Sequence, residues 1–443
     1  MTQLPNHQQT SSLQKILNPG WIKRKFSNLA LRYRLIDLLR GTDSVGMLAK
    51  LREYQFMSPE QLAEFRRNEL ADYFAELKKL PLYQNVKQFS DLPVIDKRFI
   101  KENHDALMNP FYSGRKIRKK TGGSTGEPLV FFSGSDAQSY LWAGIFLSWQ
   151  IAGYEFGDKV AFFAGSSLFA TGSKPYIYYK LLNVTIMTPF DMSDTTMEEY
   201  GQRLQQGGYR IVYGFSLAMH RMARYYLDAG LTLKTSLRAI ICTAEKLTPA
   251  MRKDIEACFG VPCYSQYGCN DAGISAFECE ERNGFHLITT RSYHEVLPGG
   301  ELVSTDMANR AMFLPRYNSG DMVRMSDRVC RCGRGFPLIE EVVGRQNDIV
   351  IDTQGHAVHS EYFNHMFREN ERVLSLQVVF NDTMLEINLL TVAMDAAEMA
   401  ALEATIRRKV KPILSFPQVH VRFNQPFRVI PNGKHRFVVR IDD

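Results

Sequence analysis

The chain is short of the features that mark secreted, membrane-spanning or repetitive proteins. Seven cysteines among 443 residues is an odd and sparse count, which excludes the disulfide framework of a small secreted domain. No apolar run approaches the length of about eighteen residues that a membrane helix needs. The polar stretch Met1–Ser12 carries no apolar signal core, so a cytoplasmic enzyme is expected. There is no internal repeat and no low-complexity tract. No nucleic-acid motif or basic stripe is found either, so no nucleic-acid partner is expected. The usual phosphate signatures are missing as well, since no Lys-Ser/Thr pair follows a G-x-x-x-x-G and no strand leads into G-x-G-x-x-G. The formal surplus of +7 is mild for this length and suits small anionic ligands such as nucleotides. What remains, at 45% hydrophobic and 23% charged residues, is an ordinary globular composition long enough for two or three domains.

Residues 1–20 read as disordered or loosely attached. From Trp21 to Arg40, apolar residues interleave with Lys23, Arg24, Lys25, Arg32, Arg34 and Arg40. That is a basic amphipathic helix, either packed on its own domain with the basic face solvated or contacting a membrane or protein partner. Ser58 with Glu60 and Gln61 opens a further helix, and Asp96 caps another from Lys97. A loop of Thr121-Gly122-Gly123-Ser124-Thr125-Gly126-Glu127-Pro128 then joins the basic run 115–120 to the strand-like 129–132. Glycines there let backbone N–H groups turn toward a ligand and the hydroxyls add donors, which suits a polyphosphate; a plain polar turn has the same composition.

Residues 136–152 have the pattern of a buried helix. Apolar runs at 159–164, 184–187, 210–213, 239–242 and 262–264 then alternate with helical patterns at 197–206, 217–230 and 248–260. This predicts an α/β fold with a mostly parallel sheet flanked by helices, and ligands at the carboxyl ends of its strands. From His286 to Val323 the texture is that of hairpins, a β-rich subdomain with turns at Pro298-Gly299-Gly300 and Asn318-Ser319-Gly320. A break falls at Gly344-Arg345-Gln346-Asn347-Asp348, beyond which a small α+β unit is expected, with strands over 374–381, 385–392 and 418–423 and a helix over 396–414.

Further motifs follow the glycine loop in order: Thr243-Ala244-Glu245, Tyr267-Gly268-Cys269-Asn270-Asp271, Tyr317-Asn318-Ser319-Gly320-Asp321, Gly344-Arg345 through Asp348, and Gly433-Lys434. Together they resemble the adenylate-forming superfamily of acyl-CoA synthetases and adenylation domains, in the phenylacetate–CoA ligase-like branch with its capsule-biosynthesis relatives. The resemblance runs from about Gln55 to the end. It implies ATP-dependent conversion of a carboxylic acid to an acyl-adenylate with release of pyrophosphate, then acyl transfer to CoA. An amine, hydroxyl or carrier protein is the alternative acceptor, and a non-catalytic scaffold on the same fold is the alternative of a different class.

By that resemblance, residues 1–344 form the N-terminal adenylate-forming domain and 345–443 a mobile lid. Thr121, Gly122, Gly123, Ser124, Thr125 and Gly126 hold the outgoing phosphates, and Tyr267 packs on adenine with Ala244 and Glu245 opposite and Gly268 beside it. Asp321 accepts from the ribose hydroxyls, a task for an acceptor-only carboxylate, and Arg345 reaches the nucleotide. Asn347 and Asp348 form the hinge. Asp271 stands where the family has a glutamate that helps to hold Mg²⁺, and no lysine follows Pro128, where many members carry one. Lys434 neutralises the repulsion between substrate carboxylate and α-phosphate.

A second cluster has its own logic. Cys279, His286, Cys330 and Cys332 make a Cys₃His set, the composition of a closed structural zinc site, against the alternative of free buried thiols. Some members of the branch carry Cys and His at matching positions. His294, Cys263 and Cys269 are the substitutes if one assignment fails.

Overall fold

The computed structural model describes residues 32–121, 129–163, 179–189, 192–345, 349–367, 370, 372–428 and 436–441. The expected helix starts are capped as their sequences imply. The Ser58 hydroxyl accepts from the Gln61 N–H while the Gln61 side chain accepts from the Ser58 N–H, a reciprocal box at the head of helix Pro59–Leu77. Asp96 accepts from the Phe99 N–H to open helix Lys97–Glu102.

The short strands β1 (Ile117–Lys120) and β2 (Val130–Ser133) pair antiparallel, with Lys120 opposite Val130. They are followed by β3 (Lys159–Phe163), β4 (Val184–Met187), β5 (Tyr209–Phe215), β6 (Ala239–Thr243) and β7 (Cys263–Cys269). All of these pair in parallel in the order β4-β3-β5-β6-β7. Side chains alternate across this half, as strand geometry requires. Val160 and Phe162 of β3 face one core with Trp149 of helix Ser135–Ile151, whereas Ala161 and Phe163 face another with Met219 and Ile255 of helices Ser216–Asp228 and Pro249–Phe259. Two covered faces explain why β3, β5 and β6 read as near-continuous apolar runs.

The hairpin region does not form a separate sheet. The strands β8 (Ile274–Phe277), β9 (Phe285–Leu287), β10 (Ser292–Val296), β11 (Glu301–Asp306), β12 (Tyr317–Ser326) and β13 (Leu338–Arg345) extend the parallel half into one eleven-stranded sheet, continuing from β7 as β8-β9-β13-β12-β11-β10. The turn at Pro298-Gly299-Gly300 joins β10 to β11. The turn expected at Asn318-Ser319-Gly320 is instead a bulge inside β12. Pairing with β11 slips between Val303–Asn318 and Glu301–Met322, Gly320 takes φ +75°, and the Asn318 and Ser319 side chains accept from the N–H groups two residues on. Local Asx chemistry gives turns and bulges one sequence signature; pairing on both sides decides between them.

The C-terminal unit has its own sheet, order β18-β17-β16-β19, from β16 (Val373–Phe380), β17 (Met384–Thr391), β18 (Gln418–Phe423) and β19 (Val438–Arg440). A short pair, β14 (Ile349–Ile351) with β15 (Ala357–His359), precedes it. Helix Ala396–Val410 covers the larger sheet, burying Ile406 and Val410 against Ile387 and Leu389. Among the described residues no helix is long and apolar enough to cross a membrane.

Gly335, in the loop between β12 and β13, has a structural demand of its own. A Cβ there would lie 1.9 Å from the Met57 carbonyl oxygen, and the Gly335 N–H donates to the Gln55 carbonyl at 2.8 Å. Gly335→Ala is therefore expected to destabilise by about 1–3 kcal/mol through overpacking against backbone. Urea unfolding checks this, and an unchanged midpoint would contradict it.

Candidate functional site

The parallel strands end on one edge of the sheet, and the site residues gather there. Ala244, just past β6, takes φ +66°, a left-handed conformation that is costly for alanine. Glu245 follows it and is turned toward the N-terminus of helix Ser216–Asp228. Its carboxylate accepts from the Leu217 N–H at 3.0 Å, and its carbonyl accepts from the Ser216 hydroxyl at 3.1 Å. A carboxylate at a helix N-terminus is favourably placed, so Glu245 holds the β6 loop against that helix.

Tyr267 and Gly268 lie at the end of β7, and Asp271 in the turn to β8. β7 and β12 are four strand steps apart, roughly 19 Å in a flat sheet. Yet the Tyr267 hydroxyl donates to Asp321 Oδ2 at 2.7 Å, and the Tyr317 hydroxyl donates to Asp271 Oδ2 at 2.8 Å. The antiparallel half must curl back over the end of the parallel half to bring these pairs together. On β13, Arg345 sits directly opposite Asp321 and its Nε approaches Asp321 Oδ1 at 3.3 Å. Both carboxylates are buried.

The electrostatics follow from that burial. Desolvation pushes the Asp321 carboxyl above the ordinary aspartate range, although Arg345 and the Tyr267 hydrogen bond pull against it and Lys97 adds a weaker favourable charge. Tyr267 and Tyr317 are held well above their usual range by burial and then by the neighbouring carboxylates, so both stay protonated donors. The Cys269 thiol, raised by burial and then by Asp271, donates to Asp271 Oδ1 at 3.1 Å. Two buried carboxylates fixed by hydroxyl donors, with a partly exposed guanidinium at their rim, make a receptor for hydroxyl donors or a hard cation.

Among the residues marked by sequence, Tyr267, Asp271, Asp321 and Arg345 come together here. Thr121 closes the β1–β2 hairpin: its N–H donates to the Leu129 carbonyl at 2.8 Å and its hydroxyl accepts from the Leu129 N–H at 2.9 Å. Gly122, Gly123, Ser124, Thr125 and Gly126, the hinge residues Asn347 and Asp348, and Lys434 lie outside the described residues. Tyr317 and Lys97 were not singled out as site residues. Tyr317 begins a motif that was noted, but only the curl of the sheet aims its hydroxyl at Asp271. Lys97 arrives because Ile95 bridges to Tyr317, with its carbonyl accepting from the Asn318 N–H at 2.8 Å.

One residue of the small unit was also missed. Gln377 is fully buried in β16, and its side-chain amide donates to the Arg428 and Arg436 carbonyls at 2.9 and 3.0 Å while its oxygen accepts from the Arg428 N–H at 2.8 Å. It thereby clamps both stems of the segment that carries Lys434. A lone glutamine in an apolar strand gives no sequence signal for such a clamp.

The second cluster assembles as a unit. Ligand-capable atoms of Cys279, His286, Cys330 and Cys332 all lie within 4.8 Å of one another. Cys279 Sγ is 3.6 Å from Cys330 Sγ, and Cys332 Sγ is 3.3 Å from His286 Nε2. A tetrahedron with Zn–S of about 2.3 Å and Zn–N of about 2.0–2.1 Å has edges of roughly 3.5–3.8 Å, so the donor set fits that ion. The other ring nitrogen, His286 Nδ1, faces the Phe336 carbonyl at 3.3 Å, an arrangement that leaves Nε2 as the ligand. The three substitutes are elsewhere. Cys263 lies 3.7 Å from Cys242, Cys269 bonds Asp271, and His294 is half-buried with both ring nitrogens shielded and without a hydrogen-bond partner. Strand placement separates them, because β10 and the ends of β7 do not reach the β12–β13 loop.

No family model matches the chain. Protein CapK of Staphylococcus aureus is 26% identical over 383 residues, covering 80% of each chain. The phenylacetate–coenzyme A ligase of Escherichia coli is 26% identical over 290 residues, 60% of this chain and 64% of that enzyme. The chain thus spans somewhat less than two thirds of that ligase. A solved 2-hydroxyisobutyryl-CoA ligase in the postadenylation state, in complex with 2-HIB-AMP, superposes with a TM-score of 0.61 at 18% identity, covering 90% of this chain and 89% of that one. At that identity the likeness establishes the fold.

Proposed function

From a place among the adenylate-forming enzymes, in their phenylacetate–CoA ligase-like branch, we propose that this chain uses ATP to activate a carboxylic acid as an acyl-adenylate and then passes the acyl group to CoA. In the first step a carboxylate oxygen attacks the α-phosphorus and pyrophosphate leaves; in the second the CoA sulfur attacks the acyl carbon and AMP leaves. The observation that carries the reading is the Tyr267–Asp321–Arg345 group at the carboxyl edge of the parallel strands, where such sheets bind nucleotides. The CoA acceptor rests on the phenylacetate–coenzyme A ligase among the relatives, since the name of CapK specifies no acceptor.

In this reading Asp321 receives the ribose hydroxyls, Tyr267 flanks adenine and holds Asp321 in place, and Arg345 sets the electrostatic rim. Gly122–Gly126 meet the phosphates, and Asn347 and Asp348 serve as the hinge between the domain 1–344 and the lid 345–443. A magnesium ion, which would neutralise phosphate charge, fits the hard, buried oxygens of Asp271. Catalysis is mainly positioning and charge neutralisation, because both partners of the first step are anions. Zinc in the Cys279–His286–Cys330–Cys332 set would be structural, with four protein ligands and no open position.

ATP–pyrophosphate exchange across a panel of aromatic and short-chain hydroxy acids tests the first step, and CoA-dependent AMP release tests the second. No exchange with any acid, despite ATP binding, would remove the proposal. Asp321→Asn is expected to weaken ATP binding about 10–100-fold by removing a charged acceptor, with little change in unfolding temperature. The wild-type pH profile supplies a second check. Since the folded carboxyl is shifted upward, ATP affinity should be full above that raised pKa and fall on acidification, with its break above the ordinary aspartate value. A break at or below that value would contradict the role.

A further inference from the structure

The surplus positive charge of the chain is concentrated at its start. Seven of the basic residues and only one acidic residue lie in the first forty, a net +6 against +7 for the whole sequence. Residues 32–40 form a helix whose inner face is anchored. The Tyr33 hydroxyl is 2.5 Å from that of Tyr154, its ring packs on Phe146 and Phe156, and Ile36 is buried with them. The single acid, Asp37, is turned inward too. It accepts from the Thr42 hydroxyl at 2.7 Å and from the Val45 N–H at 3.1 Å, fixing the start of the next helix. The outer face therefore carries no negative charge from this segment.

What that outer face does carry is apolar. Leu35, Leu38 and Leu39 are 49%, 77% and 65% exposed, and their i, i+3, i+4 spacing puts them on one ridge. Among the described residues no other single helical turn exposes three large apolar side chains. At 100° per residue, Arg32 and Arg34, both exposed, fall on the two shoulders of this ridge. Arg115, exposed as well, donates to the Leu39 carbonyl at 3.0 Å and adds a cation at the C-terminal end. Three leucines between flanking guanidiniums, on a helix locked to the protein body, have the composition of an in-plane interfacial helix: leucines reach the acyl boundary while the cations stay at the headgroup phosphates.

We propose that residues 32–40, with Arg115, dock the protein on the surface of an anionic lipid bilayer. Charge complementarity selects this occupant, since the exposed charged groups named on this face, Arg32, Arg34 and Arg115, are all cations, whereas a second copy of the same face would set like charges against each other. Docking is peripheral and salt-sensitive, because a few cations and three leucines supply it.

Flotation of the full-length protein with vesicles of pure phosphatidylcholine, or of phosphatidylcholine with phosphatidylglycerol, provides the test. Binding to the anionic vesicles is expected to be at least about tenfold tighter, since each cation near such a surface contributes about fivefold, and to weaken in high salt. Leu35→Ser/Leu38→Ser/Leu39→Ser should release the protein while its unfolding temperature and ATP binding stay as in wild type. Arg32→Gln/Arg34→Gln should lower only the preference for anionic lipid. Equal binding to both vesicles, undiminished binding of the leucine variant, or a concentration-dependent dimer abolished by the leucine substitutions would each overturn the proposal.

Discussion

Lys434→Ala is expected to slow acyl-adenylate formation by about 10²–10³-fold or more, roughly 3–4 kcal/mol, while ATP still binds. The size follows from charge. In the proposed reaction an anionic nucleophile must approach an anionic α-phosphate, and one ammonium between them would remove most of that repulsion, whereas the adenosine half of ATP would be held by other groups. The reading separates two steps: pyrophosphate exchange should collapse, but attack by CoA on a supplied acyl-adenylate should change far less. Equal loss in both steps would point to a damaged fold rather than to a missing charge. Gln377 offers a companion measurement. Its three hydrogen bonds to Arg428 and Arg436 fix the stems of the Lys434 segment, so Gln377→Leu should cost about tenfold in the same step by misplacing the ammonium. The loss should appear in kcat with the KM for ATP unchanged; a pure KM effect would reject the clamp.

The second large effect is expected at the cysteine cluster. Purified protein should contain about one zinc per chain. Stripping it, or changing Cys332 to Ser, should lower stability by several kcal/mol, because metal-binding energy is folding energy where the ligands are brought together only by the fold. The ligands tie the β8–β9 turn to the β12–β13 loop, and that loop docks on Gln55 through the Gly335 N–H and through Arg334 Nε at 2.8 Å. β12 and β13 also carry Asp321 and Arg345, so ATP affinity should fall together with stability. Absence of zinc, with unchanged unfolding after chelation, would assign the cluster to free thiols.

How far the sequence reached can be seen element by element. The apolar runs of β3, β5 and β6 were legible because both faces are covered, leaving little room for polar alternation. The boundaries of β18 and the start of helix Ala396–Val410 were legible from local pattern alone. The Asn318–Gly320 turn was not, since Asx chemistry is the same in a turn and in a bulge. The four zinc-type ligands could be named from their chemistry, but only the pairing of β9 with β13 brings them within one coordination sphere.

The residue order of this protein thus determined which segments are strands or helices and which side chains offer the donors and acceptors that the proposed nucleotide site would use, because period, capping and donor inventory are local properties. Tertiary structure alone decided that Tyr317 and Tyr267 would hold Asp271 and Asp321, that Glu245 would turn to a helix N-terminus, and that Gln377 would hold the backbone of Arg428 and Arg436. Those contacts join residues 28 to 59 positions apart, and they exist only because one long sheet curls back on itself and a buried amide must find partners wherever the fold brings them.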